Sequence, residues 1–89
     1  KDADSRDLLR RVKEIISAEG WTVGNVDATL VLEKPKIKPH VPAMRETIAG
    51  ILDIDLSAVG LKATTNEGMG FVGRGEGVCA HAVALLVRA

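Results

Sequence analysis

The chain has 89 residues, with twelve Lys plus Arg balanced by twelve Asp plus Glu, so its formal net charge is zero. That length allows one small domain, and the charge balance removes the global attraction to polyanions on which a general nucleic-acid binder depends. Trp21 and Phe71 are its only aromatic residues and Cys79 its only cysteine, which excludes a base-stacking platform, an internal disulfide framework and a Cys-rich zinc module.

The first element reads as an amphipathic helix. Leu8, Leu9, Val12, Ile15 and Ile16 fall on one helical stripe. Asp4 or Ser5 can cap its start, Asp4 and Asp7 suit the positive end of the helix dipole, and Gly20 suits its stop. Arg10, Arg11, Lys13 and Glu14 then read as a solvated face rather than a binding patch. The segment from Val26 to Leu32 alternates as a strand does, with Val26, Ala28, Leu30 and Leu32 on one side. Gly24-Asn25 before it reads as a turn or an irregular strand entry.

Pro35 and Pro39 break the pattern, and Lys34, Lys36 and Lys38 make the segment a stiff basic loop. A second helix is expected after it, with Pro42 in its first turn and an apolar stripe of Met44, Ile48, Ile51 and Leu52. Asp53 to Val59 reads as a turn plus a short helical piece, and Leu61 to Thr64 as a short strand. Gly68 to Gly77 holds five glycines in ten residues. Each carries about 0.5–1 kcal/mol of extra ordering entropy, so backbone geometry or close approach must demand them. Val78 to Val87 is apolar on both faces, and its periodicity does not separate a buried strand from a buried helix. No apolar run reaches the roughly 20 residues that span a bilayer. The polar start Lys1-Asp2-Ala3-Asp4 is not a signal peptide. The first residue is Lys1 and not an initiator methionine, so a processed, trimmed or partial chain is expected.

Gly68-Met69-Gly70-Phe71-Val72-Gly73 matches GxGxxG literally. A dinucleotide site needs a helix opening on the third glycine and an acid about 20 residues on. Gly75 and Gly77 block the helix and the chain ends too soon. Cys79 and His81 share a face if their segment is a strand, but two ligands do not make a zinc site. His40 reads as a loop or helix-start residue. In Lys62-Ala63-Thr64-Thr65-Asn66-Glu67, hydroxyl and backbone N–H groups beside a glycine-rich turn can meet phosphate oxygens. A carboxylate two or three residues on can hold a magnesium ion. An ordinary capped turn fits the same residues.

These segments together resemble one family, the 2-C-methyl-D-erythritol 2,4-cyclodiphosphate synthases of the non-mevalonate isoprenoid pathway. The matching residues begin with Ala3-Asp4-Ser5-Arg6, Gly24-Asn25-Val26-Asp27, and Pro35-Lys36 through Pro39-His40-Val41-Pro42-Ala43-Met44-Arg45. They continue with Lys62-Ala63-Thr64-Thr65, Glu67, and Gly70-Phe71-Val72-Gly73-Arg74-Gly75-Glu76-Gly77. Order and spacing fit over essentially the whole chain.

The resemblance implies an α/β fold, a mixed sheet packed on one side against helices, as the subunit of a homotrimer with active sites between subunits. It implies conversion of 4-diphosphocytidyl-2-C-methyl-D-erythritol 2-phosphate to the cyclic diphosphate and CMP, with a zinc ion and a magnesium or manganese ion polarising the diphosphate. It places Pro35, Lys36, Ile37, Lys38, Ala63, Thr64 and Thr65 against the cytidine diphosphate. Thr65 and Glu67 become the catalytic residues, with Glu67 on the magnesium or manganese. Phe71, Arg74 and Glu76 would line a central cavity able to hold an isoprenoid diphosphate, and the last apolar segment becomes a strand. Asn66 and Gly68 stand where the family usually has Thr and Lys. The family's zinc ligands, an Asp-x-His and a later His, precede the stretch matching Lys1, and His40 and His81 do not replace them. The 89 residues are therefore expected to be the C-terminal portion of a single synthase domain. No nucleic-acid or membrane partner is expected, and the location expected is bacterial cytoplasm or plastid stroma. The alternative is a zinc-less module that binds cytidine nucleotides or isoprenoid diphosphates without chemistry.

Overall fold

A computed structural model describes residues 5–33, 37–65, 70 and 78–89. Helix α1 runs over Ser5–Ala18 and strand β1 over Trp21–Val31. A 3-10 turn at Lys38–His40 leads into helix α2, Val41–Leu52. A second 3-10 turn, Leu56–Ala58, precedes β2, Val59–Thr64. Strand β3 spans Cys79–Arg88. The sheet order is β2-β1-β3, with β1 parallel to β2 and antiparallel to β3. Helix α1 packs on β1, α2 on β2, and the helices touch each other, so both cover one face of the sheet. The expected mixed sheet with helices on one side is what the chain forms.

Local chemistry explains the boundaries. The two residues after α1 close a tight turn onto its last carbonyls, Glu19 N–H to that of Ile16 at 3.1 Å and Gly20 N–H to that of Ser17 at 3.0 Å. Gly20 then turns the chain at φ +86°, a conformation that favours glycine. Pro42 sits in the first turn of α2, where its missing N–H leaves no helical bond unmade. Asp53 ends α2 in the left-handed region at φ 58°, ψ 47°. Asp55 caps the second 3-10 turn by accepting from the Ser57 N–H at 2.9 Å and from the Ser57 hydroxyl. The hydroxyl bond first and the N–H bond second hold the Asp55 carboxyl below its ordinary pKa.

Strand β1 begins at Trp21, five residues before the expected Val26. Of the two readings of Gly24-Asn25 the irregular strand holds and the turn does not: the pair is a bulge inside β1, since the register with β3 shifts between Val23 and Asn25. The extra residue keeps Trp21 and Val23 on the face of Val26, the side that the helices cover. At that end of the sheet the Arg88 guanidinium lies 4.2 Å from the centroid of the Trp21 ring.

The core is small and sits between the helices and the β1–β2 half of the sheet. Its buried members are Val23, Leu32, Ala49, Leu52 and Val59, and Val59 is the most enclosed at 1% exposure. The stripe Met44, Ile48, Ile51 and Leu52 of α2 faces inward as expected. Strand β3 corrects one expectation. Its two apolar faces read as buried, yet every residue from His81 to Ala89 is exposed among the described residues. Val83 is 74% exposed. On α1, Leu8, Val12 and Ile15 are likewise half or more exposed. On the face away from the helices, Gly60 opposes Asp27, and a Cβ there would run into the Asp27 carboxylate.

Candidate functional site

Parallel pairing brings the carboxyl ends of β1 and β2 out side by side. The ladder reaches its last pair at Val31 and Thr64, and the Leu32 N–H extends it with a 3.0 Å bond to the Thr64 carbonyl. Beyond that pair, Glu33 and Thr65 both border the same space. A crevice outside the carboxyl ends of parallel strands is where open α/β sheets hold ligands. Here it is a cleft of about 350 Å³. One wall is Ile37, Lys38 and Pro39, the 3-10 turn at the head of α2, and the other is Ala63, Thr64 and Thr65. Leu32 and Glu33 form its floor and rim between them.

The lining suits a ligand with an apolar ring and an anionic tail. Leu32 is buried, Ile37 and Ala63 half-buried, so a ring can displace water from apolar surface there. Lys38, Thr64 and Thr65 are exposed at the mouth and carry an ammonium and two hydroxyls, all hydrogen-bond donors. Among the described residues, none of those lining the cleft is aromatic.

Five of the predicted nucleotide contacts, Ile37, Lys38, Ala63, Thr64 and Thr65, therefore converge on one cleft. Pro35, Lys36 and Glu67 lie outside the described residues, as do Phe71, Arg74 and Glu76. Leu32, Glu33 and Pro39 line the cleft without having been singled out. The signal for Leu32 and Glu33 was parallel pairing, which one strand's alternation does not reveal.

Among the described residues no three His, Cys, Asp or Glu side chains gather in a way that could hold a metal ion. His40 is exposed at the end of the 3-10 turn. Cys79 Sγ and His81 Nε2 lie 3.4 Å apart on the sheet face away from the helices, sharing a face as a strand requires. The described residues thus do not fit a zinc centre on their own. The basic face of α1 is solvated only in part: Arg10, Arg11 and Glu14 are exposed, with Arg10 Nη1 paired to Asp7 Oδ1 at 2.7 Å, whereas Lys13 is half-buried, and Arg10, Lys13 and Glu14 border a depression against Gly50 and Ile51 of α2.

Residues 1–87 match the model of the YgbB family. A protein of Pseudomonas savastanoi named 2-C-methyl-D-erythritol 2,4-cyclodiphosphate synthase is 57% identical over 89 residues, all of this chain and 57% of that protein. A namesake from Synechococcus elongatus is 53% identical over 88 residues, 99% of this chain and 55% of its own length. The chain thus spans about half the length of the curated relatives it matches. Among solved structures, the synthase of Plasmodium vivax superposes with a TM-score of 0.91 at 32% identity, covering 97% of this chain and 57% of that one. A Plasmodium falciparum structure described as an IspF CDP complex gives 0.88 at 28% identity, covering 96% of this chain and 55% of that one.

Proposed function

The chain belongs to the YgbB family, and on that premise we propose that it forms the nucleotide-holding, C-terminal portion of a 2-C-methyl-D-erythritol 2,4-cyclodiphosphate synthase. The substrate is 4-diphosphocytidyl-2-C-methyl-D-erythritol 2-phosphate. An oxygen of the 2-phosphate bonds to the β-phosphorus, the bond from that phosphorus to the bridging oxygen breaks, and CMP leaves with the electron pair. The observation that carries the reading is the cleft at the carboxyl ends of β1 and β2, where five residues expected against cytidine diphosphate line one space. The CDP complex of a structural neighbour supports it. The shared name of relatives 53–57% identical favours the synthase over a binding module without chemistry.

The roles are those the family resemblance implies, and the donor types of the residues suit them. Ile37 and Ala63, with Pro35, enclose the cytosine side. Lys36 and Lys38 offset diphosphate charge, and the hydroxyls of Thr64 and Thr65 donate to phosphate oxygens. Holding the diphosphate still is most of the catalytic task in phosphoryl transfer, because it aligns attacking and leaving oxygens. Thr65 and Glu67 are assigned to catalysis, with Glu67 as the carboxylate for magnesium or manganese and the zinc ligands supplied outside these 89 residues. Those ions, when bound, polarise the diphosphate and neutralise charge on the leaving group.

The same proposal makes the protein a homotrimer, with active sites between subunits and Phe71, Arg74 and Glu76 around a central cavity open to an isoprenoid diphosphate. Exposed Val83, Leu85 and Val87 on the uncovered sheet face support an assembly surface. The exposed apolar stripe of α1 supports a larger domain than the 89 residues. Among the described residues no helix is long and apolar enough to cross a membrane. The proposed location is the cytoplasm of a bacterium or a plastid stroma. Calorimetric titration of the complete protein with CDP tests the site. Ala63→Leu, which fills the cleft, is expected to weaken CDP binding at least tenfold. Equal affinity in the variant would remove the cleft from the reading.

A further inference from the structure

The two walls of the cleft belong to different elements, and one side chain ties those elements together. Arg45 lies one turn into α2, directly after the 3-10 turn that supplies Ile37, Lys38 and Pro39. Its Nε–H donates to the Val59 carbonyl at 2.8 Å, and its Nη2 to the Leu56 carbonyl at 2.9 Å. Val59 opens β2, the strand whose far end supplies Ala63 and Thr64. The guanidinium therefore braces the helix that carries one wall against the root of the strand that carries the other. It does not line the cleft itself.

We propose that Arg45 is a positioning residue for nucleotide binding, setting the spacing between the Ile37–Pro39 wall and the Ala63–Thr65 wall. This rests on the cleft being the nucleotide site. A guanidinium is a rigid planar fork, and two acceptors on it fix both distance and angle. The bond to Val59 is partly buried, so water competes poorly for that carbonyl. From Val59 to Thr64, β2 is laddered to β1 without interruption, so it moves as a stiff rod. A tilt at the Val59 end is carried to Thr64. A lysine at this position is a single charged centre on a flexible stem and does not reproduce the fork.

The test uses the complete protein with Arg45→Lys and Arg45→Met. It measures steady-state turnover of the cytidyl substrate, CDP affinity and Tm. The expected result is a rise of about tenfold in both KM and the Kd for CDP, the scale set by losing one partly buried bond. The kcat should fall by less than KM rises, because Arg45 touches no reacting atom and acts on the reaction only through the Thr65 wall. Arg45→Lys should bind CDP better than Arg45→Met, since it keeps one donor. Folded variants with wild-type KM and CDP affinity, and only a lower Tm, would overturn the proposal. Failure of both variants to fold would also count against it, as the role would then be structural. Absence of turnover and CDP binding in the wild-type protein would overturn the functional reading instead.

Discussion

Val59→Ala tests whether the small core between α2 and the β1–β2 ladder carries the fold. Val59 is 1% exposed, opposite Val26 in the ladder and under α2. The substitution removes two carbons from a site closed to solvent. Transfer alone costs about 1.6 kcal/mol, at about 0.8 kcal/mol for each buried carbon. A cavity that collapses only in part adds about 1 kcal/mol. The sum, about 2–3 kcal/mol, is a large share of the 5–15 kcal/mol by which domains are typically stable. The backbone carbonyl of Val59 still accepts from Arg45, so the loss should be packing alone. Urea unfolding of the complete protein should show the midpoint falling by about 1 M at unchanged slope, for a slope near 2–3 kcal/mol/M. A loss below about 0.5 kcal/mol at unchanged slope would refute the reasoning, because Val59 would then not be a packed core residue.

Three other outcomes are expected. Asp53→Val should cost about 1–2 kcal/mol, since a β-branched residue resists the left-handed geometry at φ 58°, whereas Asp53→Gly should cost nothing measurable. The pair is read by thermal unfolding. The Asp55 carboxyl titrates below its ordinary range in the folded chain, so its stabilising effect is present above the unfolded pKa of about 3.9 and is lost as pH falls through the lower folded value. The stability gap between wild type and Asp55→Ala should therefore be full at neutral pH and should shrink on acidification below about pH 4. A gap that widens on acidification would contradict the cap. Val83→Lys places a charge on the open apolar sheet face and should convert the proposed trimer to smaller species by light scattering. An unchanged mass would separate that face from assembly.

Much of the fold is legible where one residue type decides a local conformation. Gly20 stops α1, Pro42 starts α2, and the period of Met44, Ile48, Ile51 and Leu52 gives the buried side of α2. Legibility fails where geometry depends on a partner strand. Gly24-Asn25 has turn composition, yet β3 pairs on both sides of it and makes it a bulge. The apolar run from Val78 to Val87 says that both faces avoid water but not what covers them. Within the site, Ile37, Lys38, Ala63, Thr64 and Thr65 are legible only as a family pattern, because their convergence depends on β1 and β2 running parallel. Arg45 is part of the same pattern, but its bonds to the Leu56 and Val59 carbonyls come from the crossover that sets α2 against β2.

The central claim concerns a reaction, and the release of CMP tests it most directly. The complete protein, given 4-diphosphocytidyl-2-C-methyl-D-erythritol 2-phosphate with zinc and magnesium, should form one CMP for each cyclic diphosphate. Thr65→Val should lower that rate by at least tenfold. No CMP release by the folded, metal-supplied wild-type protein would contradict the account.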